Sequence, residues 1–233
     1  IRSTVVVFGS ARLSSPEEAR EALAECRRQL KAAPRDLEWR RRLKTAQLRV
    51  EQSRYYEEAR RFSAMLSQAS QNRKSLEFVV VTGGGPGIME AANRGAYEVG
   101  AKSIGLNITL PHEQDPNPYI TPELSFQFHY FSLRKMHFMM RAKALAAFPG
   151  GYGTMDELFE TLTLIQTGKK SPIPVVLFGK KFWTRVFDWK FLADEGYIGH
   201  ADLKLFAIVE TAAEGWSHIQ RHWNQHPAGL PTP

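Results

Sequence analysis

Five short apolar runs are separated by longer stretches in which apolar residues recur every three or four positions. Runs that do not alternate with polar residues are typical of parallel strands, because helices cover both faces of such a sheet. The order of runs and helical stretches predicts βαβ units and therefore an α/β protein with a mostly parallel sheet. The predicted strands are Thr4–Phe8, Phe78–Thr82, Ser103–Ile108, Ala144–Phe148 and Pro174–Phe178.

The remaining pattern fits one domain over residues 1–233. Phe126–Tyr130 alternates apolar and polar positions, which indicates a weaker strand nearer an edge of the sheet. A chain of 233 residues with 43% hydrophobic content can bury one substantial core. The proline-rich end, at approximately residues 225–233, is predicted to be a loose tail.

A helical segment between the first two strands is much longer than an ordinary crossover. Ser15 and Pro16, followed by two acidic residues, indicate a helix start, and Pro34 indicates its end. A second helical run begins at Asp36. We interpret about Tyr55 to Ser70 as the ordinary crossover helix, and approximately residues 14–54 as an inserted helical hairpin.

The net charge of +7 comes from this insertion and its surroundings. From Arg12 to Lys74 there are sixteen Lys and Arg residues against nine Asp and Glu, whereas the rest of the chain is balanced. Acidic residues are interleaved with the basic ones, and Arg40–Arg42 belong to no known nucleic-acid-binding motif. A nucleic-acid partner is therefore not favoured.

Composition also excludes several classes of protein. Cys26 is the single cysteine, so no internal disulfide can form, and a cytoplasmic location is expected. No apolar run reaches the length of a membrane span, so neither a membrane partner nor a signal peptide is expected. The histidines show no metal-ligand spacing and no serine lies in a GxSxG motif, so we expect no metal and no cofactor.

Two glycine-rich loops each join a predicted strand to a predicted helix, at Gly83–Gly87 and Pro149–Thr154. Such junctions lie at the carboxyl edge of the sheet, where the free N–H groups of a helix start attract anions such as phosphate. A tight structural turn is the alternative for either loop alone. Two loops of this kind suggest a shared pocket, to which the turn Gly9–Ala11 could add donors.

Charged residues follow these loops. Asp156 and Glu157 point about 100° apart on a helix, so at most one can face the second loop. A carboxylate there could orient water or stabilise positive charge on a ribose, although acids in a first helical turn are also common for purely structural reasons. Glu160 is a second carboxylate to consider. Arg134 and Lys135 form either a solvated pair or a group that holds phosphate or sugar oxygens.

Taken together, Val80–Ala96, Arg134–Lys135 and Pro149–Glu157 resemble the LOG family. Its members are phosphoribohydrolases of cytokinin riboside 5′-monophosphates and often carry the label "lysine decarboxylase". The resemblance covers Thr4–Arg12 and roughly Phe78–Gly199. It implies a Rossmann-like, doubly wound fold, a homodimer or larger assembly, and hydrolysis of the N-glycosidic bond of a nucleoside 5′-monophosphate. AMP and cytokinin riboside 5′-monophosphates are the expected substrates, and the products are free base and ribose 5-phosphate.

The resemblance also implies roles for residues. Arg134 and Glu157 match the two expected catalytic residues. The expected substrate-binding residues are Gly9, Ser10, Gly84, Gly85, Lys135, Gly150, Gly151, Gly153 and Thr154. Leu133 stands where the short plant-type proteins have glutamate, and those proteins lack the helical insertion. Both features resemble a longer bacterial subgroup, so the resemblance does not determine which base the substrate carries. The alternative function is a non-hydrolytic nucleotide or molybdenum-cofactor carrier with the same phosphate cradle.

Overall fold

The computed structural model of the protein describes residues 1–72, 75–109 and 115–226. Its strands are β1 (Thr4–Phe8), β2 (Gln71–Asn72), β3 (Ser75–Leu76), β4 (Val79–Thr82), β5 (Ser103–Ile108), β6 (Ser125–Phe128), β7 (Ala142–Ala147), β8 (Val175–Phe178) and β9 (Ala207–Val209). Its helices are α1 (Pro16–Ala32), α2 (Leu37–Gln52), α3 (Arg54–Ser70), α4 (Ile88–Glu98), α5 (Phe131–Met140), α6 (Tyr152–Gln166), α7 (Lys180–Val186), α8 (Trp189–Asp194) and α9 (Ala212–Gln225). None of these helices is long and apolar enough to cross a membrane.

Seven strands form one sheet in the order β6-β5-β4-β1-β7-β8-β9, and each neighbouring pair is parallel. From β1 the chain builds outward through β4, β5 and β6, and then returns to the other side of β1 with β7. This reversal of direction opens a crevice at the carboxyl ends of β1 and β7, where doubly wound sheets bind ligands. The predicted α/β, Rossmann-like fold is confirmed.

Strand β1 shows why the strands lack polar alternation. All five of its residues are buried, and the four apolar ones divide between two clusters on opposite faces of the sheet. Val5 and Val7 pack with α3, α4 and α9 in one cluster, whereas Val6 and Phe8 belong to the other. Because successive side chains in a strand point to opposite faces, a sheet covered on both sides needs apolar residues at every position.

The strand predictions are confirmed with small shifts, and three strands were not predicted. β1 and β5 have the predicted bounds, and β6 lies at an edge of the sheet. The strand predicted at Ala144–Phe148 begins two residues earlier and ends one residue earlier. The unpredicted strands are β9, which has three residues, and the two-residue strands β2 and β3, which pair antiparallel outside the main sheet. Strands this short have too few residues for a recognisable pattern.

The inserted hairpin is confirmed as α1 and α2, which pack against each other before the crossover helix α3 begins. Ser15 and Glu18 form a reciprocal capping box at the start of α1, and Asp36 caps α2. Few hairpin residues are buried. At the other end of the chain, α9 continues to Gln225, one residue into the predicted loose tail. Residues 227–233 of that tail lie outside the described residues.

Helices α3 and α4 pack against each other on one face of the sheet, and they approach closely at Gly95. A Cβ at this position would lie 2.0 Å from the carbonyl oxygen of Arg60 in α3. We therefore expect Gly95→Ala to lower the free energy of unfolding by about 2 kcal/mol, because the helices must move apart. The control is Gly153→Ala, since Gly153 is also helical but has no neighbour within 4 Å of an added Cβ. Urea unfolding measures both variants, and an unchanged Gly95→Ala protein would contradict this account.

Candidate functional site

A cavity of about 910 Å³ lies at the carboxyl ends of β1, β4 and β7. Its lining includes the turn after β1 and parts of both glycine loops, among them Gly9, Ser10, Gly85 and Gly150. The position matches the crevice that the reversal of strand order creates. It is also large enough for a nucleotide, because typical small-molecule sites measure about 300–1,000 Å³.

Backbone contacts of Ser10 hold the three turns together. The Ser10 N–H donates to the Pro149 carbonyl over 3.0 Å, and the Ser10 carbonyl accepts from the Ile88 N–H over 3.1 Å. A Cβ on Gly87 would lie 2.4 Å from the Ser10 carbonyl oxygen, and Gly87 also has a φ of +73°. The turn after β1 therefore bridges both glycine loops, and only glycine fits where they touch.

The first glycine loop is fixed by a buried polar network. The Gly84 N–H donates to Thr82 Oγ1, while the Gly84 carbonyl accepts from both the backbone N–H and Nδ2 of Asn117. Asn93 accepts further bonds from Thr82 and Asn117. Gly84 is thus engaged with the protein and does not line the cavity, whereas Gly83 and Gly85 do.

Both loops lead into helices whose first N–H groups have no side-chain cap. Helix α4 follows Gly87, and α6 follows Gly151. Thr154 lies inside α6, where it is buried, so it does not serve as the N-cap. Its Oγ1 lies against Gly150, where an added Cβ would be 2.1 Å away. Gly151, Gly153 and Thr154 all line the cavity, so the uncapped start of α6 can bind an anion there.

Glu157 and Asp156 have separate environments, as their angle on the helix requires. Glu157 is 4% exposed and lines the cavity, whereas the Asp156 side chain is 54% exposed. Burial raises the pKa of Glu157 to about 7, against the opposing charges of Lys135 and Arg134 and with additional repulsion from Glu160 and Asp156. A carboxyl group with this pKa can take up or release a proton near neutral pH.

Arg134 extends from α5 to the same cavity. Its Nη1 lies 3.9 Å from the point where a Cβ of Gly83 would be, and its guanidinium lies over the rings of Phe131 and Phe138. Burial lowers the pKa of Arg134, and the carboxylate of Glu157 opposes this shift. The Nε atom is buried and has no hydrogen-bond partner within the described part of the chain. Arg134 therefore retains donors for a ligand.

Lys135 does not line the cavity. Its ammonium group pairs with Asp156 at 2.7 Å and with Glu160 at 3.0 Å. These contacts engage two of the three N–H donors of Lys135, and its charge acts on Glu157 from outside the cavity. The assignment of Lys135 to substrate binding stays a prediction, as do the assignments of Arg134, Glu157 and the glycine loops.

Sequence analysis missed several residues of the cavity. Phe182 and Val186 of α7 form an apolar wall with Phe187, which directly follows this helix, and Arg12 and Asn107 add polar groups. An apolar wall can hold a nucleobase. The α7 segment has only seven residues, so it shows too little periodicity to be recognised. Arg12 could have been found, because it directly follows the predicted turn Gly9–Ala11.

Comparison with known proteins relates the chain to one family. Residues 89–219 match the family described as "Possible lysine decarboxylase". The chain is 26% identical over 157 residues to the probable cytokinin riboside 5′-monophosphate phosphoribohydrolase LOG4 of Oryza sativa subsp. japonica, covering 66% of this chain and 67% of that protein. It is 25% identical over 155 residues to the cytokinin riboside 5′-monophosphate phosphoribohydrolase LOG of the same organism, covering 65% and 63%.

Solved structures share the fold. The molybdenum cofactor binding protein from Rippkaea orientalis superposes with a TM-score of 0.55 at 13% identity. The molybdenum cofactor carrier protein from Chlamydomonas reinhardtii has the same TM-score at 17% identity. Each comparison covers 95% of this chain and 98% of the other. At these identities the likeness concerns the arrangement of strands and helices.

The raised pKa of Glu157 predicts a pH-dependent stability. The folded-state pKa of about 7 exceeds the ordinary glutamate value of 4.5, so the folded protein binds more protons than the unfolded chain between these values. The contribution of Glu157 is therefore fully favourable below about pH 4.5 and is lost as the pH rises through 7. Because glutamine stays neutral, we expect Glu157→Gln to be more stable than the unaltered protein by on the order of 2 kcal/mol at pH 8.

Urea unfolding at pH 4.5 and pH 8 measures this difference. The gain of Glu157→Gln should shrink towards zero at the lower pH. Glu21→Gln, which changes an exposed carboxylate on α1, is the control and should show no such trend. If Glu157→Gln gained the same free energy of unfolding at both pH values, the raised pKa of a buried Glu157 would be contradicted.

Proposed function

Because the chain belongs to the LOG family, whose description reads "Possible lysine decarboxylase", we propose that it is a phosphoribohydrolase of nucleoside 5′-monophosphates. It would hydrolyse the N-glycosidic bond of AMP or of a cytokinin riboside 5′-monophosphate. The observation that carries this proposal is the buried carboxyl group of Glu157, which lines one cavity together with Arg134 and the bridged glycine turns. Cleavage of a phosphorylated sugar from its base can use all three: backbone groups that bind the phosphate, a carboxylate at the sugar, and a cation that holds the ligand.

The phosphate would bind at the floor of the cavity. The uncapped start of α6 and the turns around Gly85 and Gly150 offer backbone N–H groups, and the α6 dipole favours negative charge. Ser10 adds a hydroxyl group to the same floor. Anchoring the phosphate fixes the ribose, and this positioning alone lowers the barrier to reaction.

Glu157 would act on the ribose. Cleavage of an N-glycosidic bond develops positive charge at the anomeric carbon, which a nearby carboxylate stabilises. With a pKa of about 7, Glu157 can also accept a proton from the attacking water. The hydroxide bonds to the anomeric carbon as the bond to the base breaks, and the protonated Glu157 then gives the proton up to the departing base, which regenerates the carboxylate.

Arg134 would hold the nucleotide rather than transfer protons, because a guanidinium remains charged at neutral pH. Its buried Nε and its position beside Gly83 favour contact with oxygen atoms of the ligand. The apolar wall of Phe182 and Phe187 would take the base.

Decarboxylation of lysine with pyridoxal phosphate does not suit the residues of this cavity. That cofactor needs a lysine for its Schiff base. No lysine lines the cavity among the described residues, and Lys135, which follows the lining residue Arg134, is paired with Asp156 and Glu160.

The second candidate is a carrier that binds a nucleotide or the molybdenum cofactor without hydrolysing it. Its support is the shared fold of the two molybdenum cofactor proteins. Glu157 favours hydrolysis instead, since a carrier of anions gains nothing from a buried acid beside the phosphate site.

We also propose a homodimer or larger assembly. Helix α5 exposes Phe131, Leu133, Met136 and Met140, and the edge strand β6 exposes Phe126. Leu133, Met136 and Met140 share one face of α5, and exposed apolar faces of this kind are typical of subunit interfaces. The same helix supplies Arg134, so an interface there would border the cavity.

The proposed reaction predicts two inactive variants. Glu157→Gln removes the ionisable group, and Arg134→Ala removes the cation, so each should lower base release by at least about 100-fold. Mass spectrometry of the base released from AMP and from isopentenyladenosine monophosphate measures this. Circular dichroism establishes that the fold is retained, and Glu21→Gln and Arg41→Ala, both exposed on the hairpin, serve as charge-matched controls.

Unchanged turnover in both variants would refute the assigned roles. If the unaltered protein binds AMP tightly but releases no base, the carrier function is correct instead.

The proposed interface predicts a change of oligomeric state. Leu133→Asp introduces a charge into the exposed apolar face of α5, and light scattering should then show a monomer. Leu48→Asp, on the exposed side of α2, is the matched control and should leave the assembly intact. An unaltered protein that is already monomeric at micromolar concentration would contradict the proposal.

A further inference from the structure

Arg12 lies where the chain leaves the turn after β1. Its backbone N–H donates to Ser10 Oγ over 3.1 Å, and the next residue, Leu13, is buried in the core. The backbone is thus held on both sides, while Arg12 itself is exposed and lines the cavity. A side chain on a fixed backbone loses less conformational entropy when it binds a ligand.

The turn that carries Arg12 lies at the centre of the anion cradle. β1 is flanked by β4 and β7, and the loops after these strands are the two glycine loops. Ser10 contacts both loops through its backbone. A group that follows this turn is therefore near both sets of amide donors.

A bound phosphate would need more positive charge than Arg134 alone supplies, and Arg12 is the other cation of the described cavity lining. Within the described residues, the cations that line the cavity are Arg12 and Arg134, and the carboxylate is Glu157. Glu157 opposes the charge of Arg134, whereas no carboxylate of the described chain pairs with Arg12. A phosphate monoester carries about 1.5 to 2 negative charges at pH 7. Backbone amides and one partly neutralised arginine do not balance that charge.

We propose that the guanidinium of Arg12 binds the 5′-phosphate of the substrate and selects nucleotides over nucleosides. This inference rests on the proposed function and adds a residue to it. The planar guanidinium presents two parallel N–H donors to two phosphate oxygens, and the loop amides bind the same phosphate from the floor of the cavity. Arg12 is thus a binding residue, and Arg134 and Glu157 remain with the sugar.

Equilibrium binding separates the phosphate from the rest of the ligand. Calorimetry uses ribose 5-phosphate, which lacks the base of AMP, and adenosine, which lacks its phosphate. Arg12→Ala should weaken ribose 5-phosphate binding by about 10- to 100-fold and change adenosine binding by less than about twofold. Arg12→Lys, which keeps the charge without the planar fork, should lie between these values.

Arg41→Ala is the matched control. Arg41 is exposed on α2, carries the same charge in the same basic segment, and does not line the cavity. It should bind ribose 5-phosphate like the unaltered protein, because surface charges beyond a Debye length are screened at physiological salt. Equal weakening by both variants would mean that only the overall charge matters, and it would overturn the proposal.

Kinetics with AMP distinguishes this inference from the proposed function. If Arg12→Ala cleaves AMP with an unchanged KM, Arg12 has no role although the hydrolase function stands. If ribose 5-phosphate binding depends on Arg12 but AMP is not cleaved, the binding role stands and the hydrolase function fails. Loss of adenosine binding to the same extent would show that Arg12 only shapes the cavity, which would also overturn the proposal.

Discussion

The contact between the turn after β1 and the two glycine loops determines the rest of the site. Ser10 donates to Pro149 and accepts from Ile88, so the carboxyl ends of three adjacent strands are joined through backbone atoms. Side chains cannot enter this junction, as the space around Gly87 shows. The floor of the cavity is therefore made of peptide groups, and fixed dipoles of this kind can bind an anion without rearranging.

This floor also explains the properties of the acid beside it. Glu157 is buried where it lines the same cavity, and burial disfavours its charged form. Lys135 reduces this effect from outside the cavity while its donors pair with Asp156 and Glu160. The protein thus keeps the pKa of Glu157 at about 7, at a cost in stability above that pH.

Local patterns predicted the parts of the molecule that depend on local sequence. The buried strands, the glycine loops and the cap of α1 follow from neighbouring residues, and the helical angle alone indicated that Asp156 and Glu157 differ. Asn117 could not be predicted, because it contacts Gly84 across 33 positions of sequence and has no distinctive neighbours. The apolar wall at α7 was missed because a helix of seven residues is too short to show a recognisable period.

The inserted hairpin shows how little the cavity depends on the chain's net charge. Its ion pairs, such as Arg28 with Glu25 and Arg42 with Glu38, lie within single helices, where pairs of this spacing stabilise the helix itself. They do not connect the hairpin to the sheet. Leu13, by contrast, is buried at the point where the insertion begins, and it separates the exposed basic helices from the turn at the cavity. The excess of positive charge between Arg12 and Lys74 therefore lies mostly on exposed helices, whereas the charged side chains that line the crevice are Arg12, Arg134 and Glu157.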